Sequence, residues 1–597
     1  MRNPPRKMEW PGKAADFTTD RRVLLLTLMA LVVGSGGAAA AWLLMQLIAL
    51  VTNLVWFDRI STATVSLSSA ERGPWMVAIP ALGGLVIGLM ARFGSEKIRG
   101  HGIPEAIEAI LYGRSWMSAK VAVLKPLSSA ISIGTGGPFG AEGPIIMTGG
   151  ALGSLFAQCF YLSAAERKTL LVGGAAAGMT AIFGTPIAAV LLAVELLLFE
   201  WKPRSFVPVA VAAITAIAWR PLIFGAGPLF PFPDVPQLPL WSAGLPIALG
   251  LIGGLQSGLM TTLVYKVEDI FEHLPIHWMW WPAIGGVVVG LGGLVEPRAL
   301  GVGYDVIADL LANHVTAQSA AKILIVKAIV WVVALSSGTS GGVLAPLLIL
   351  GGALGWLLGS MLPGDPGLWA LIGMAAMMAG TMRAPLTGTM FAVELTGNIH
   401  VLVPVFVACI SAYGLTVLLL KRSILTERLA RRGQHVTREY AIDPYELTRV
   451  AEIMTRDVAT LPVAMSAAEA AAFLTEAEDR HRMYPVVDRD GVLAGCVNRA
   501  DVLRWRQTHR LDDFTLFDLV SDASIPVAFP DEIVGRVADR MAFGDLGRMA
   551  VVERDTRRLV GLIARKDLLR MRHAASSQER SRETFYARSS AAGDLGA

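Results

Sequence analysis

The sequence has few cysteines and few charged residues. Only three of its 597 residues are cysteines, and Cys159, Cys409 and Cys496 stand too far apart to indicate a disulfide framework or a metal cluster. Charged residues make up 17% of the chain, which argues against a soluble globular protein for most of its length. A net charge of +4 does not indicate nucleic acid, because basic residues beside membrane segments account for it.

Hydrophobic residues make up 54% of the chain and are concentrated between about residues 22 and 420. Apolar runs there alternate with breaks rich in glycine and proline, as in polytopic membrane proteins with short, closely packed helices. Segments near 103–112 and 302–313 are shorter than the roughly 20 residues of a full crossing and predict partial helices. No catalytic nucleophile or phosphate loop stands in this part, so an enzyme is not predicted.

Both ends of the apolar part are flanked by basic residues. The polar start, residues 1–20, does not resemble a cleavable signal, and the first apolar run is too long for one. Lysines and arginines precede this run and follow the last one, so both termini are expected in the cytoplasm, with the chain in a cell membrane. A bacterial inner membrane is the expected location.

The apolar part repeats itself. GPFGAEGPIIMTGGALG at 137–153 matches TSGGVLAPLLILGGALG at 339–355, with an offset of 346 − 144 = 202. Lys125 matches Lys327 at the same offset, and TPIAAVLLAVEL at 185–196 matches APLTGTMFAVEL at 384–395. Two repeats, about 75–225 and 278–432, are typical of transporters whose substrate site lies between homologous halves.

The breaks around Glu142 have the features of an anion site. A helix that begins inside a protein leaves its first N–H groups without partners and presents the positive end of its dipole. Glycine permits close backbone approach, and proline near a helix start costs no hydrogen bond; both occur at 140–144 and at 341–346. If the two starts meet, a charged Glu142 can take the place of the anion and leave when protonated.

Three blocks resemble the selectivity motifs of the CLC chloride channel and transporter family: GHGIP at 100–104, GAEGP at 140–144 and GGVLAP at 341–346. The resemblance covers about residues 20–432 and implies an all-α membrane fold of inverted repeats, a homodimer, and one anion pathway per subunit. It also implies that Glu142 is the gating residue. The anion-binding positions that it implies are His101, Gly102, Ile103, Ala141, Glu142, Gly143, Val343, Leu344 and Leu425.

The chain departs from the family pattern in three places. His101 replaces a serine that often contacts the central ion, and Leu425 replaces a tyrosine at the inner ion site. Leu196 replaces the inner glutamate of proton-coupled members. The proton-pathway candidates that remain are Glu142, Glu195, which matches a family glutamate usually considered structural, and Glu200, one helical turn beyond Leu196. Glu200 is a hypothetical inner acceptor, and an ion pair with Lys202 or Arg204 is the favoured alternative.

The charged C-terminal part resembles a tandem pair of CBS domains, at 446–508 and 514–573. Gly495–Asp501 and Gly561–Asp567 match at an offset of 66. In CBS sites the aspartates, here Asp501 and Asp567, take ribose hydroxyls, but Asn498 and Ala564 replace the usual hydroxyl residues, so adenine nucleotide binding is doubtful. A dimerising or allosteric scaffold is favoured, and residues 574–597 are predicted to be disordered.

Anion transport, with chloride as the ligand and no required cofactor, is therefore the predicted function. The loss of the inner glutamate favours channel-like or weakly proton-coupled conduction, and a proton/chloride antiporter with another inner acceptor is the alternative. A CBS-regulated divalent-cation transporter is less favoured, because it needs several membrane carboxylates that converge on one path. The sequence offers Glu142, Glu195, Glu200 and Glu394, two of them at repeat-equivalent helix positions.

Overall fold

The computed structural model describes residues 21–233, 242, 244–434, 445, 448–476, 483–508, 513–520 and 525–580. The predicted cytoplasmic segment 1–20 lies outside these residues. The chain divides into two units, Met1–Arg438 and Glu439–Ala597, which are described in turn.

The first unit is helical throughout its described residues. Helices α1 to α6 are Arg22–Trp56, Trp75–Phe93, Ile103–Leu111, Ala119–Gly134, Glu142–Gln158 and Ala164–Phe183. Helix α7, Pro186–Leu192, continues as a π-helical turn at Ala193–Leu198. Helices α8 to α12 are Pro203–Ile223, Leu245–Glu272, Trp281–Val295, Tyr304–Leu311 and Ala317–Ser336. Helices α13 to α17 are Leu344–Gly359, Pro366–Met382, Pro385–Thr396, Leu402–Leu419 and Ile424–Arg431.

Long and short helices alternate in this unit. Within the described residues, seven helical segments are long and apolar enough to cross a membrane. The two predicted partial helices are confirmed, since α3 has nine residues and α11 has eight. The fold is therefore the predicted polytopic arrangement of full spans and short broken helices.

The two halves are inverted relative to each other, as helices α7 and α15 show. Glu195, nine residues after the start of α7, accepts hydrogen bonds from the N–H groups of Leu386 and Thr387, at 3.2 and 2.8 Å, at the start of α15. Glu394, nine residues after the start of α15, accepts from the N–H groups of Ile187 and Ala188, at 3.0 and 2.8 Å. Each helix therefore ends where the other begins, and the pair is antiparallel.

Glycines allow close packing at equivalent places in the two halves. A Cβ at Gly149 of α5 would lie 2.3 Å from the carbonyl oxygen of Gly174 in α6. A Cβ at Gly351 of α13 would lie 2.4 Å from the carbonyl oxygen of Gly373 in α14. Side chains at these positions would force the helices apart, so the backbones touch only because glycine stands there.

The second unit contains two small sheets. Its helices α18 to α23 are Val450–Ile453, Ala467–Glu476, Arg499–Thr508, Leu516–Val520, Val534–Phe543 and Arg565–Arg580. Strands β1 to β6 are Leu461–Pro462, Met483–Val487, Leu493–Asn498, Val527–Ala528, Arg548–Val552 and Leu559–Ala564. In each sheet the first strand pairs parallel with the second, and the second pairs antiparallel with the third, in the orders β1-β2-β3 and β4-β5-β6.

The short helices of this unit pack crosswise. Val450 of α18 packs into the core of the second sheet with Ala528 and Val534. Leu516 and Val520 of α21 pack into the core of the first sheet. Each sheet is therefore completed by a helix that stands next to the other sheet in the sequence.

One predicted boundary is wrong. Helix α23 runs to Arg580, so residues 574–580, predicted to be disordered, are helical. Alanines, glutamine and glutamate in this segment have good helix propensity and extend a helix already begun at Arg565. The rest of the predicted tail lies outside the described residues.

Candidate anion site

Three loops meet at the centre of the first unit. The N–H of Gly140 donates to the carbonyl of Gly342 at 3.2 Å, and the N–H of Gly342 donates back at 2.8 Å. The N–H of Gly100 donates to the carbonyl of Thr339 at 3.2 Å, and the N–H of Gly341 donates to the carbonyl of Gly100 at 3.4 Å. The three motif blocks, from both halves of the chain, therefore share one short ladder of backbone bonds.

Three helices begin next to this ladder. Helix α5 begins at Glu142, α13 at Leu344 and α3 at Ile103. The N–H groups in their first turns have no acceptor within the helix, so each start presents donors and a partial positive charge. A Cβ at Gly143 would lie 1.9 Å from the carbonyl oxygen of His101, so only glycine lets α5 and the 100–102 loop approach this closely.

The carboxylate of Glu142 lies over the point where the halves meet. A Cβ at Gly140 or Gly342 would lie 1.8 or 2.6 Å from its Oε2. The side chain is fully buried, and neither oxygen accepts a hydrogen bond from any described residue within hydrogen-bonding geometry. The backbone amides of Glu142 itself and of Ala345 face it. A buried carboxylate without firm partners is costly and can be displaced.

Two equivalent lysines hold the loops in place. The amino group of Lys125 in α4 donates to the carbonyls of Ile98 and Gly100, at 2.8 and 2.7 Å. The amino group of Lys327 in α12 donates to the carbonyls of Ala299 and Gly301, both at 2.9 Å. Both lysines are fully buried, so each half carries a buried amino group beneath the loop that precedes its short helix.

His101 lines a very small cavity. The cavity has a volume of about 10 Å³, close to the space of one water, and Tyr265, Glu268, Ser336 and Arg428 also line it. The ring of His101 is buried, and its Nδ1 has no hydrogen-bond partner among the described residues. The wall of the cavity therefore includes an incompletely bonded histidine and groups of both charges.

Leu425 is buried in the first turn of α17, next to this cavity. The hydroxyl of Tyr265 donates to the carbonyl of Ile424, and a reciprocal cap between Ser423 and Thr426 fixes the start of the helix. Ile424 itself lines the cavity. The leucine side chain supplies no hydroxyl at the position that the resemblance assigns to the inner ion site.

The other proton-pathway candidates are engaged elsewhere. Glu195 caps α15, and Leu196 lies buried in the π-helical turn. Glu200 accepts a hydrogen bond from the Ser205 hydroxyl at 2.6 Å and pairs with Lys168 at 2.9 Å. Partial burial raises the pKa of Glu200, but the Ser205 hydroxyl and the Lys168 cation outweigh it and hold that pKa below its ordinary value.

Lys168 was not anticipated as the partner of Glu200. The expected partners, Lys202 and Arg204, are farther away, at 3.7 and 3.9 Å. A glutamate that is charged and bound to a lysine is poorly suited to pick up protons near neutral pH.

In the second unit, Asp501 and Asp567 both bind backbone at the strand-to-helix turns. Asp501 accepts from the N–H of Asn498 at 2.9 Å and pairs with Arg504 at 2.7 Å. Asp567 accepts from the N–H of Ala564 at 2.9 Å and is buried. Both carboxylates therefore stabilise helix starts in the geometry described.

Comparison with known proteins identifies the first unit. The family model described as voltage gated chloride channel matches residues 83–417, and the CBS domain model matches 450–508 and 518–574. The chain belongs to the voltage-gated chloride channel family. It is 30% identical over 435 residues to the H(+)/Cl(-) exchange transporter ClcA of Salmonella arizonae, an alignment that covers 69% of this chain and 89% of the relative. The same values hold for ClcA of Salmonella paratyphi B.

Solved structures of this family share the fold. A slow cyanobacterial Cl-/H+ antiporter matches with a TM-score of 0.60 at 22% identity, over 70% of this chain and 99% of that one. A eukaryotic CLC transporter matches with a TM-score of 0.58 at 20% identity, over 92% of this chain and 98% of that one. At these identities the likeness supports the architecture, including the CBS pair, and the relatives as a group are transporters and channels.

Lys125, Lys327 and Tyr304 belong to the site region, although none was predicted from the sequence as a site residue. Lysines in long apolar runs are costly and mark functional positions, so the two lysines carried a usable signal beyond their repeat match. Tyr304 follows Gly301-Val-Gly303, the repeat counterpart of Gly100-His-Gly102, and so stands where Ile103 stands in the first half. The alignment of the repeats would have singled it out.

Proposed function

We propose that this protein conducts chloride or a similar small anion across a membrane, with Glu142 as the gate. The observation that carries the proposal is the buried Glu142 carboxylate over the Gly140–Gly342 contact, without a firm partner and facing helix starts from both halves. An anion that enters this place meets the same donors. The anion-binding positions that the family resemblance implies, of which His101 is the first and Leu425 the last, are proposed to line the path of the anion.

We propose channel-like or weakly proton-coupled conduction. Leu196 supplies no acid, and Glu195 and Glu200 are both held by other groups, which leaves no free inner carboxylate among the sequence candidates. The second candidate is a proton/chloride antiporter, which the names of the Salmonella relatives favour. It would need an inner acceptor other than these residues.

Reconstituted liposomes loaded with chloride test both candidates. Chloride efflux and proton uptake are measured together for the wild type, Glu142→Gln and Glu200→Gln. We expect efflux with little proton uptake in the wild type, faster efflux in Glu142→Gln because the neutral side chain competes less for the site, and no change in proton movement in Glu200→Gln. Sustained proton pumping against its gradient contradicts channel-like conduction, and absence of chloride efflux contradicts anion transport.

The assembly and topology are proposed from the family pattern. We propose a homodimer with the termini and the CBS pair in the cytoplasm. We also propose that the chain divides into a transmembrane domain at 21–432 and two CBS domains at 446–508 and 514–573. The CBS pair is proposed to be a dimerising or allosteric scaffold, which the use of Asp501 and Asp567 as helix caps supports. Cross-linking in membranes and protease access from either side test these assignments.

A further inference from the structure

A larger cavity of about 490 Å³ lies between the two halves, away from the His101 cavity. Its wall includes residues of α1 from Met45 to Thr52, the segment 64–68, and the segment 297–305 that leads into α11. Tyr304, the first residue of α11, belongs to this wall. The cavity thus reaches the short helix of the second half that corresponds to α3.

The hydroxyl of Tyr304 is unsatisfied. Tyr304 lines the cavity, and its hydroxyl oxygen is buried and has no hydrogen-bond partner among the described residues. A buried phenol normally finds a partner, because an unmade hydrogen bond of this kind costs about 1–3 kcal/mol. The free hydroxyl therefore indicates a partner that is absent in this conformation.

The position of Tyr304 is firmly held. Its ring meets the rings of Phe183 and Phe230 edge to face, with centroids 6.2 and 5.8 Å apart. The preceding residue, Gly303, has a φ of +77°, and a Cβ there would lie 2.6 Å from Ile349 of α13 and 3.7 Å from the amino group of Lys327. These contacts fix the position of the ring, so the hydroxyl oxygen is held in one place.

The buried carboxylate of Glu142 can accept the hydrogen bond that this hydroxyl offers. Tyr304 and Lys327 both lie within electrostatic reach of the Glu142 carboxylate. Neither oxygen of that carboxylate accepts a hydrogen bond of good geometry from the described residues, and only the backbone amides of Glu142 and Ala345 face it. A carboxylate that an anion displaces from the meeting point of the halves needs a new donor, and a phenol O–H is a good one.

We propose that Tyr304 is the hydrogen-bond donor that receives the Glu142 carboxylate when the gate opens. The proposal rests on the proposed function, since it concerns the same gate. In the closed state the carboxylate lies over Gly140 and Gly342, and the hydroxyl of Tyr304 is unpaired. In the open state the carboxylate turns toward the larger cavity and accepts the Tyr304 O–H, which leaves the helix starts to the anion. Tyr304 is thus a positioning residue for the gate and has no role in binding the anion itself.

The test is a double-mutant cycle on chloride efflux from liposomes. Tyr304→Phe removes only the hydroxyl, and Glu142→Ala removes the carboxylate that it would bind. We expect Tyr304→Phe to slow efflux about tenfold or more while Glu142 is present, because a bond to a charged acceptor is lost from the open state. In the Glu142→Ala background we expect a change of no more than about twofold.

The matched control is Tyr413→Phe in α16, a tyrosine outside both cavities, which should leave efflux unchanged in both backgrounds. Equal slowing by Tyr304→Phe in both backgrounds would show that the hydroxyl acts on packing or on the anion, and would overturn the proposal. No slowing in either background would overturn it as well. Absence of efflux from the wild type and from Glu142→Ala would instead refute anion transport.

Discussion

Single residues set the geometry of the anion site from inside the membrane unit. Lys125 and Lys327 occupy equivalent positions in α4 and α12, and each joins two carbonyls of the loop before a short helix. Among the described residues, these amino groups bind backbone carbonyls and no side-chain carboxylate. The lysines therefore serve as cross-links between helix and loop.

Lys327→Met should destabilise the protein by about 2 kcal/mol, because the carbonyls of Ala299 and Gly301 lose their donor in a buried place. Thermal unfolding in detergent, followed by intrinsic fluorescence, measures the change. Lys322→Met is the control, since Lys322 lies exposed on the same helix. An equal loss of stability in both variants would contradict the role of the buried hydrogen bonds, because it would reflect a general effect of removing a lysine from this helix.

Several helices of the first unit meet through close backbone contact. The α5–α6 and α13–α14 pairs both meet at glycines, where a methyl group would overlap a facing carbonyl. The antiparallel pair α7 and α15 depends on a reciprocal cap by Glu195 and Glu394. These devices recur at equivalent positions, so one packing scheme was used in both halves.

Gly373→Ala should destabilise the protein by about 1–3 kcal/mol, since its Cβ would lie 2.3 Å from the carbonyl oxygen of Gly351. Gly414→Ala in α16 is the matched control, because nothing lies within 4 Å of a Cβ there. Alanine has the higher helix propensity, so this control should be neutral or slightly stabilising. Thermal unfolding of the two variants compares them, and equal destabilisation would contradict the close-contact explanation.

At the scale of the whole molecule, a membrane unit is joined to a CBS pair that offers little to a nucleotide. Asn498 and Ala564 replace hydroxyl residues, and both aspartates are bonded to backbone. The crosswise packing of α18 and α21 makes the two CBS domains depend on each other. These contacts support the proposed role of a dimerising or allosteric scaffold over that of a nucleotide sensor.

Millimolar AMP or ATP should leave the unfolding temperature of the full chain unchanged. A ligand present at 100 times its dissociation constant would stabilise the folded state by about 2.7 kcal/mol. Thermal unfolding with and without nucleotide, in the presence of constant chloride, measures this. A clear upward shift would contradict the prediction and assign a sensor role to the pair.

The sequence by itself determined the positions at which helices break and the presence of two homologous repeats. Glycine and proline act locally, and the repeated blocks placed Glu142 and the 341–346 turn at equivalent breaks, so both α3 and α11 could be predicted as partial helices. Local helix propensity was misjudged only at residues 574–580, where a helix already formed continues.

Only the tertiary structure decided which polar side chains have hydrogen-bond or ion-pair partners. From the sequence, Glu195 matches a structural glutamate and Glu200 is a hypothetical proton acceptor. In the structure Glu195 caps a helix of the other half and Glu200 binds Lys168, over separations that no local pattern encodes. The crosswise CBS helices and the unpaired Tyr304 hydroxyl arise in the same way. Contacts between distant segments depend on the packing of the whole chain. The local sequence around each residue is compatible with several partners and does not specify which distant residue it will meet.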